Sequence, residues 1–260
     1  VRQTWTFRDA YQALAARQKP GAGVPFYTRV VNRRLGRIGG AAGAMLGLSP
    51  SAVSIAGGAL WAVALLGLCL MPMSVPTVLV VFALLVISFG LDSADGQLAR
   101  LTGRSSRAGE WLDHVLDCAR HSAVHLSIAV ALYRATDLPG PGRLALALPL
   151  LFAVVSTTRF FAQVLGEQLR DGGGSRQVPD RSPRASRGLV QLPADTGVLN
   201  ACLLLLPVPA VFLVVYAVLA GANLLLLAAT LRRRFIELAG VDAAAAAPRP
   251  AAQQPRVSAR

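Results

Sequence analysis

The sequence predicts an all-α integral membrane protein: six transmembrane helices with an N-terminal amphipathic helix at the membrane interface. Three observations carry that expectation. The 260 residues are 54% hydrophobic and only 15% charged, with a mean hydropathy of +0.52, too apolar for an ordinary water-soluble domain. Apolar blocks of membrane-crossing length recur along the chain, at about 1.5 Å of helix per residue against a core of about 30 Å. Basic residues gather in alternate connections between those blocks. The formal charge of +13 comes almost wholly from arginine, since Lys19 is the single lysine. In a water-soluble chain that balance points to nucleic acid. Here the apolar blocks exclude that class, and the charge reads as loops facing an anionic leaflet.

Residues 1–50 form a cytoplasmic N-terminal segment in this reading. Trp5, Phe7, Tyr11 and eight basic residues stand where a cleavable leader would need an early apolar run. Over 26–38, the residues Phe26, Val30, Val31, Leu35 and Ile38 recur at helical spacing, while Arg29, Arg33, Arg34 and Arg37 fill the other faces. That pattern predicts an amphipathic helix lying on the bilayer.

The membrane domain is expected over 51–235. Its first two spans cover about 53–75 and 75–98, with Pro72 and Pro76 at the turn. The third runs over about 111–133 and the fourth over about 144–165. The 36 residues of 196–231 are too many for one span, so two are expected, with Pro207 and Pro209 between them. Arg100, Arg104 and Arg107 follow the second span; Arg170 to Arg187 follow the fourth; Arg232, Arg233 and Arg234 follow the last. The opposite connections hold only Arg134, Asp137 and Arg143. Both termini are therefore expected in the cytoplasm, consistent with an even number of spans in the cell membrane. The stretch 172–187 reads as a flexible loop, and 236–260 as a disordered tail.

Cys69, Cys118 and Cys202 lie in apolar stretches with no zinc or disulfide spacing, and read as small buried hydrophobes. His121 and His125 share a helix face, but without a third ligand they read as a packed or pore-lining pair.

Four carboxylates break the apolar pattern. Asp92 and Asp95 are i, i+3 neighbours near the end of the second span, and Asp113 and Asp117 are i, i+4 neighbours at the start of the third. A short connection makes these helices antiparallel neighbours, so the two pairs can meet. Carboxylates at a membrane face need partners, and several in one pocket repel unless cations neutralise them. Hard oxygen ligands suit Mg²⁺ or Mn²⁺, and four such groups can hold two ions. Gly96, Ala99 and Gly109 remove bulk beside them, which permits either close approach by a ligand or close helix packing.

The series Asp92-x2-Asp95-Gly96-x2-Ala99-Arg100-x8-Gly109-x3-Asp113-x3-Asp117 resembles, without a gap, the signature of the CDP-alcohol phosphotransferase family. The basic N-terminus and six-span layout extend the likeness over roughly 25–235. The resemblance implies metal-dependent transfer of a substituted phosphoryl group, a phosphatidyl group for a CDP-linked lipid donor such as CDP-diacylglycerol. The acceptor is an alcohol or polyol phosphate, and CMP is released in phospholipid biosynthesis. It further implies that Asp92, Asp95 and Asp113 bind the metals. Asp117 is then the general base and a second-metal contact, and Gly96, Arg100 and Ser106 contact the CDP moiety. Ala99 and Gly109 belong to the same donor-binding set. Ser51, in the stretch 49–54, stands where the family has Asn or Asp beside the nucleotide. A homodimer is a further family expectation.

The chemistry suits those roles. Metals bridging pyrophosphate oxygens neutralise charge on the leaving group, a carboxylate takes the acceptor's proton, and Arg100 offers a bidentate phosphate contact. Arg159, inside the fourth apolar block, needs a partner or water. It either faces the same cavity and binds an anionic acceptor or snorkels to the interface. Two rival readings use the same aspartates: an ion transporter, and a catalytically silent scaffold.

Overall fold

The computed structural model describes residues 4–16, 27–135, 145–172 and 191–246, with side chains omitted at 171–172 and 244–246. The described chain is helical, with no strand. Its α-helices are α1 (Phe7–Ala16), α2 (Arg33–Met45), α3 (Pro50–Leu70), α4 (Val75–Thr102), α5 (Arg107–Ala135), α6 (Ala147–Gly172), α7 (Thr196–Cys202) and α8 (Pro209–Ala246). Five of them, α3 to α6 and α8, are long and apolar enough to cross a membrane.

Local chemistry sets the boundaries. Ser49 caps α3 by accepting from the Ala52 N–H at 3.1 Å, with Pro50 following. Ser74 and Pro76 repeat the device for α4. Gly103, at φ +67°, ends α4 in the left-handed conformation a side chain would resist. The Arg104 N–H then returns to the Ala99 carbonyl at 3.0 Å. Ser106 opens α5 by accepting from the Gly109 N–H at 3.1 Å. This tight turn makes α4 and α5 antiparallel neighbours and sets their carboxylates side by side.

The membrane core joins α3, α4, α5, α6, α7 and α8 around Leu65, Val81, Leu85, Ile128, Phe152, Phe212 and Tyr216. Arg234 on α8 pairs with Glu167 on α6 at 2.8 Å, and Arg170 pairs with Glu237 at 3.2 Å. The C-terminal ends of α6 and α8 therefore lie together and the two helices run parallel. The described part of the chain between them is a 3₁₀ turn (Leu192–Ala194), α7 and a second 3₁₀ turn (Leu203–Leu205).

Here the structure departs from the expected six long helices. The stretch 196–231 holds one short broken segment and the start of α8, divided at Pro207 and Pro209 as expected. Ten residues, Thr196–Leu205, form the only shorter apolar helix among the described residues. At 1.5–2.0 Å each they cover roughly 15–20 Å. α8 instead has 38 residues, about 57 Å of helix. It runs to Ala246, eleven residues into the tail expected to be disordered; the remainder of that tail and the loop 173–187 lie outside the described residues.

The N-terminal helix also differs in what its faces do. A π-helical turn (Thr28–Asn32) leads into α2, and Phe26 lies outside the described residues. The buried face is Asn32, Gly36, Gly40, Ala41, Gly43 and Ala44, packed against α4, α3 and α1. A methyl at Gly36 would stand 2.5 Å from the Ser93 hydroxyl and 2.6 Å from Gln97 Nε2. Leu35 fills the space over Gly90 on α4, while Ile38 is 48% exposed. Helix-on-helix contact through glycines therefore holds α2, a contact that apolar periodicity does not register. From α1, Tyr11 lies under the Arg37 guanidinium, 4.1 Å from the ring centroid, and accepts a hydrogen bond from it at 2.6 Å.

Candidate metal and substrate site

Asp92 and Asp95 come from the last three turns of α4, and Asp113 from the second turn of α5. Each offers one carboxylate oxygen, and these oxygens lie within 4.8 Å of one another. Asp95 is only 6% exposed. Its two oxygens accept from the Ser54 hydroxyl on α3 and from the Gly96 N–H. Three partly buried carboxylates this close repel one another in a medium of low dielectric. An all-oxygen donor set of this charge fits a hard divalent cation.

A cleft of about 570 Å³ opens beside this triad. Asp95 and Asp113 stand in its wall with Ser51, Gly96, Ala99, Arg100, Ser106 and Gly109, the whole set expected on the donor side. Gly96, Ala99 and Gly109 all line the cleft. A methyl at Gly96 would meet only the Arg100 guanidinium, at 3.4 Å, and one at Gly109 would meet Ser106 Oγ at 3.1 Å and Ser51 Oγ at 3.9 Å. Ser106 has the additional structural task of capping α5.

Asp117 is set apart from the triad. Its carboxylate pairs with Arg120 Nη1 at 2.9 Å, and the same nitrogen pairs with Asp92. Arg120 thus ties the triad to Asp117. Asp117 lines a second, narrower pocket of about 70 Å³ together with Arg120, His121, His125, Ser156 and Arg159. This pocket lies where α5 faces α6. His121 Nδ1 is 2.8 Å from Ser156 Oγ, and His125 Nδ1 is 2.6 Å from the Tyr216 hydroxyl. The histidines are a packed, pocket-lining pair with separate partners. Arg159 lines this second pocket with Asp117, apart from the cleft beside the triad.

Sequence reasoning passed over Arg120 and Ser54. The signal for Arg120 was present: a guanidinium within an apolar block, one turn after Asp117 on the same face, needs a carboxylate partner. Ser54 carried none, because an isolated serine one turn into an apolar helix commonly bonds its own backbone, as Ser54 also does to Pro50 at 3.2 Å.

The family model described as CDP-alcohol phosphatidyltransferase matches residues 48–231, from the cap of α3 to the middle of α8. No curated protein matches the chain closely enough to count as a relative.

Proposed function

The chain belongs to the CDP-alcohol phosphatidyltransferase family, whose activity is transfer of a phosphatidyl group from a CDP-alcohol, and from that premise we propose the particular reaction. The donor is CDP-diacylglycerol, the acceptor an alcohol, and the products a phospholipid and CMP, within phospholipid biosynthesis. One observation carries the reading above the others: three aspartate oxygens within 4.8 Å of one another stand beside a cleft large enough for a nucleotide.

In this reading Asp92, Asp95 and Asp113 hold divalent metal, Mg²⁺ or Mn²⁺, with Asp117 a contact of a second ion. When bound, the metal neutralises the donor pyrophosphate and the charge that develops on departing CMP. Ser54 and the Gly96 N–H keep the Asp95 carboxylate in one orientation. Gly96, Ala99 and Gly109 leave room for the CDP moiety; Arg100, Ser106 and Ser51 contact it from the cleft wall. Asp117 takes the proton of the acceptor hydroxyl as its oxygen forms the new bond to phosphorus and the bond to the CMP oxygen breaks. Arg120 holds Asp117 toward the triad. Arg159 faces the acceptor.

The setting is the cell membrane with both termini cytoplasmic. The ends of α4 and α8, where Arg100, Arg104 and Arg232 to Arg234 gather, then face the inner leaflet. Exposed Ile38 and Met45 on α2 suit contact with that leaflet. A homodimer completes the reading.

The test is CMP release by purified protein supplied with CDP-diacylglycerol, a panel of alcohols and Mg²⁺. The expected result is metal-dependent CMP, reduced about 10²- to 10⁴-fold in Asp117→Asn without loss of folding. An ion transporter or a silent scaffold would release none with any alcohol.

A further inference from the structure

Four guanidinium groups converge outside the site described above. Arg29 from the π-helical turn and Arg33, Arg34 and Arg37 from α2 line one hollow of about 360 Å³, and among the described residues no acidic side chain belongs to its lining. Arg29, Arg33 and Arg37 follow one another four residues apart, the spacing that stacks side chains along one side of a helix. The opposite side is committed to packing: Asn32 and Gly36 are buried, and Gly36 meets Ser93 and Gln97 of α4. Arg37 is fixed in place by the Tyr11 ring and hydroxyl, yet its Nε is buried without a hydrogen-bond partner. Like charges gathered this way repel one another unless an anion is shared between them.

The depth of the hollow narrows the kind of anion. Tyr27 stacks on Phe89 with 6.3 Å between ring centroids, Leu35 covers Gly90, and the Arg33 carbonyl accepts from Gln97 Nε2 at 3.2 Å. The arginine-bearing stretch therefore lies beside α4 where its apolar run gives way to Asp92, Ser93 and Asp95. In a membrane-spanning helix that change marks the level of the lipid headgroups. Ile38, one residue after Arg37, is exposed, so an apolar surface adjoins the charged one. An arginine cluster at headgroup depth with an apolar rim fits a phospholipid better than a soluble phosphate or a nucleic acid, neither of which brings an acyl chain.

We propose that Arg29, Arg33, Arg34 and Arg37 bind the headgroup phosphate of an anionic phospholipid, at a lipid site separate from the donor cleft. Guanidinium forks match phosphate oxygens in pairs. A zwitterionic headgroup offsets the same phosphate with its own cation, so the hollow selects a lipid with net negative charge. None of the four arginines lines the 570 Å³ cleft. Arg33 is nevertheless close enough to Arg100, in the cleft wall, for their charges to interact. A bound anionic headgroup offsets that repulsion and ties the N-terminal helix to the leaflet.

Native mass spectrometry of the full chain, purified in detergent with a chelator and without donor, measures the binding. The probes are phosphatidylglycerol and phosphatidylcholine with matched acyl chains. Wild type is expected to bind phosphatidylglycerol about tenfold or more tightly than phosphatidylcholine. Arg29→Gln/Arg34→Gln, at two exposed positions, should lose that preference, and Arg29→Lys/Arg34→Lys, which keeps the charge, should retain part of it. Arg232→Gln/Arg233→Gln removes the same charge from exposed positions on α8 and should leave the preference intact. Inorganic phosphate in excess should fail to displace the lipid. Equal affinity of wild type for the two lipids, an unchanged preference in Arg29→Gln/Arg34→Gln, or an equal loss in the two glutamine pairs overturns the proposal. Displacement by inorganic phosphate also overturns it, since the hollow is then a site for soluble anions. Selective lipid binding by a protein that releases no CMP leaves this site standing while the transferase reading falls.

Discussion

Arg120→Gln is the substitution whose consequence follows most directly from the geometry. The guanidinium pairs with Asp92 and, at 2.9 Å, with Asp117; side-chain exposures are 13% for Arg120, 17% for Asp92 and 31% for Asp117. Removing one partner of a buried pair costs about 3–5 kcal/mol, whereas an exposed pair contributes about 0–1 kcal/mol. Exposures this low place the loss nearer the buried limit, and the partial solvation of Asp117 reduces it to about 2–3 kcal/mol. For a chain of this size each kcal/mol moves the midpoint by about 2–4 °C, so unfolding should occur about 4–12 °C lower. In the proposed reading divalent metal would neutralise the same carboxylates in the folded arrangement alone, so Mg²⁺ should recover more stability in the variant than in wild type. Thermal unfolding in detergent, first with a chelator and then with Mg²⁺, measures both quantities. A variant that unfolds with wild type in chelator, or gains no more from Mg²⁺, would refute the reasoning.

Two further substitutions test parts of the fold that serve the site. Gly36→Ala puts a methyl 2.6 Å from Ser93 Cβ, so it should overpack α2 against α4 and cost about 1–3 kcal/mol, read as a lower denaturation midpoint. Ser106→Ala removes the cap on α5 and should cost about 1 kcal/mol; it should also raise the KM for CDP-diacylglycerol if Ser106 faces the nucleotide as proposed.

The α4–α5 unit was the most legible part of the chain. Asp92, Asp95 and Asp113 could be brought together from spacing and a short connection alone, because i, i+3 and i, i+4 repeats fix a helix face. Gly103 and Ser106 then supply the stop and start that make the connection tight. The return between α6 and α8 was less legible. Hydropathy counts apolar residues and is blind to the backbone, so 196–231 reads as two compact spans where the structure has a short broken segment and the first part of a 38-residue helix. The packing of α2 was hidden for a related reason. Leu35 and Ile38 dominate an apolar pattern, while the packing is made at Gly36 and Gly40, where absence of a side chain is the active property. At the site, the Asp92–Arg120–Asp117 link joins groups 28 residues apart and depends on the rotation of α5 against α4, which local patterns do not specify.

In the proposed reading Asp92, Asp95 and Asp113 form one divalent-metal site. Its most direct measurement is Mn²⁺ binding by paramagnetic resonance, comparing wild type with Asp92→Asn, Asp95→Asn and Asp113→Asn. Each variant should stay folded and bind Mn²⁺ about tenfold or more weakly than wild type. Wild-type Mn²⁺ affinity in all three variants would contradict it.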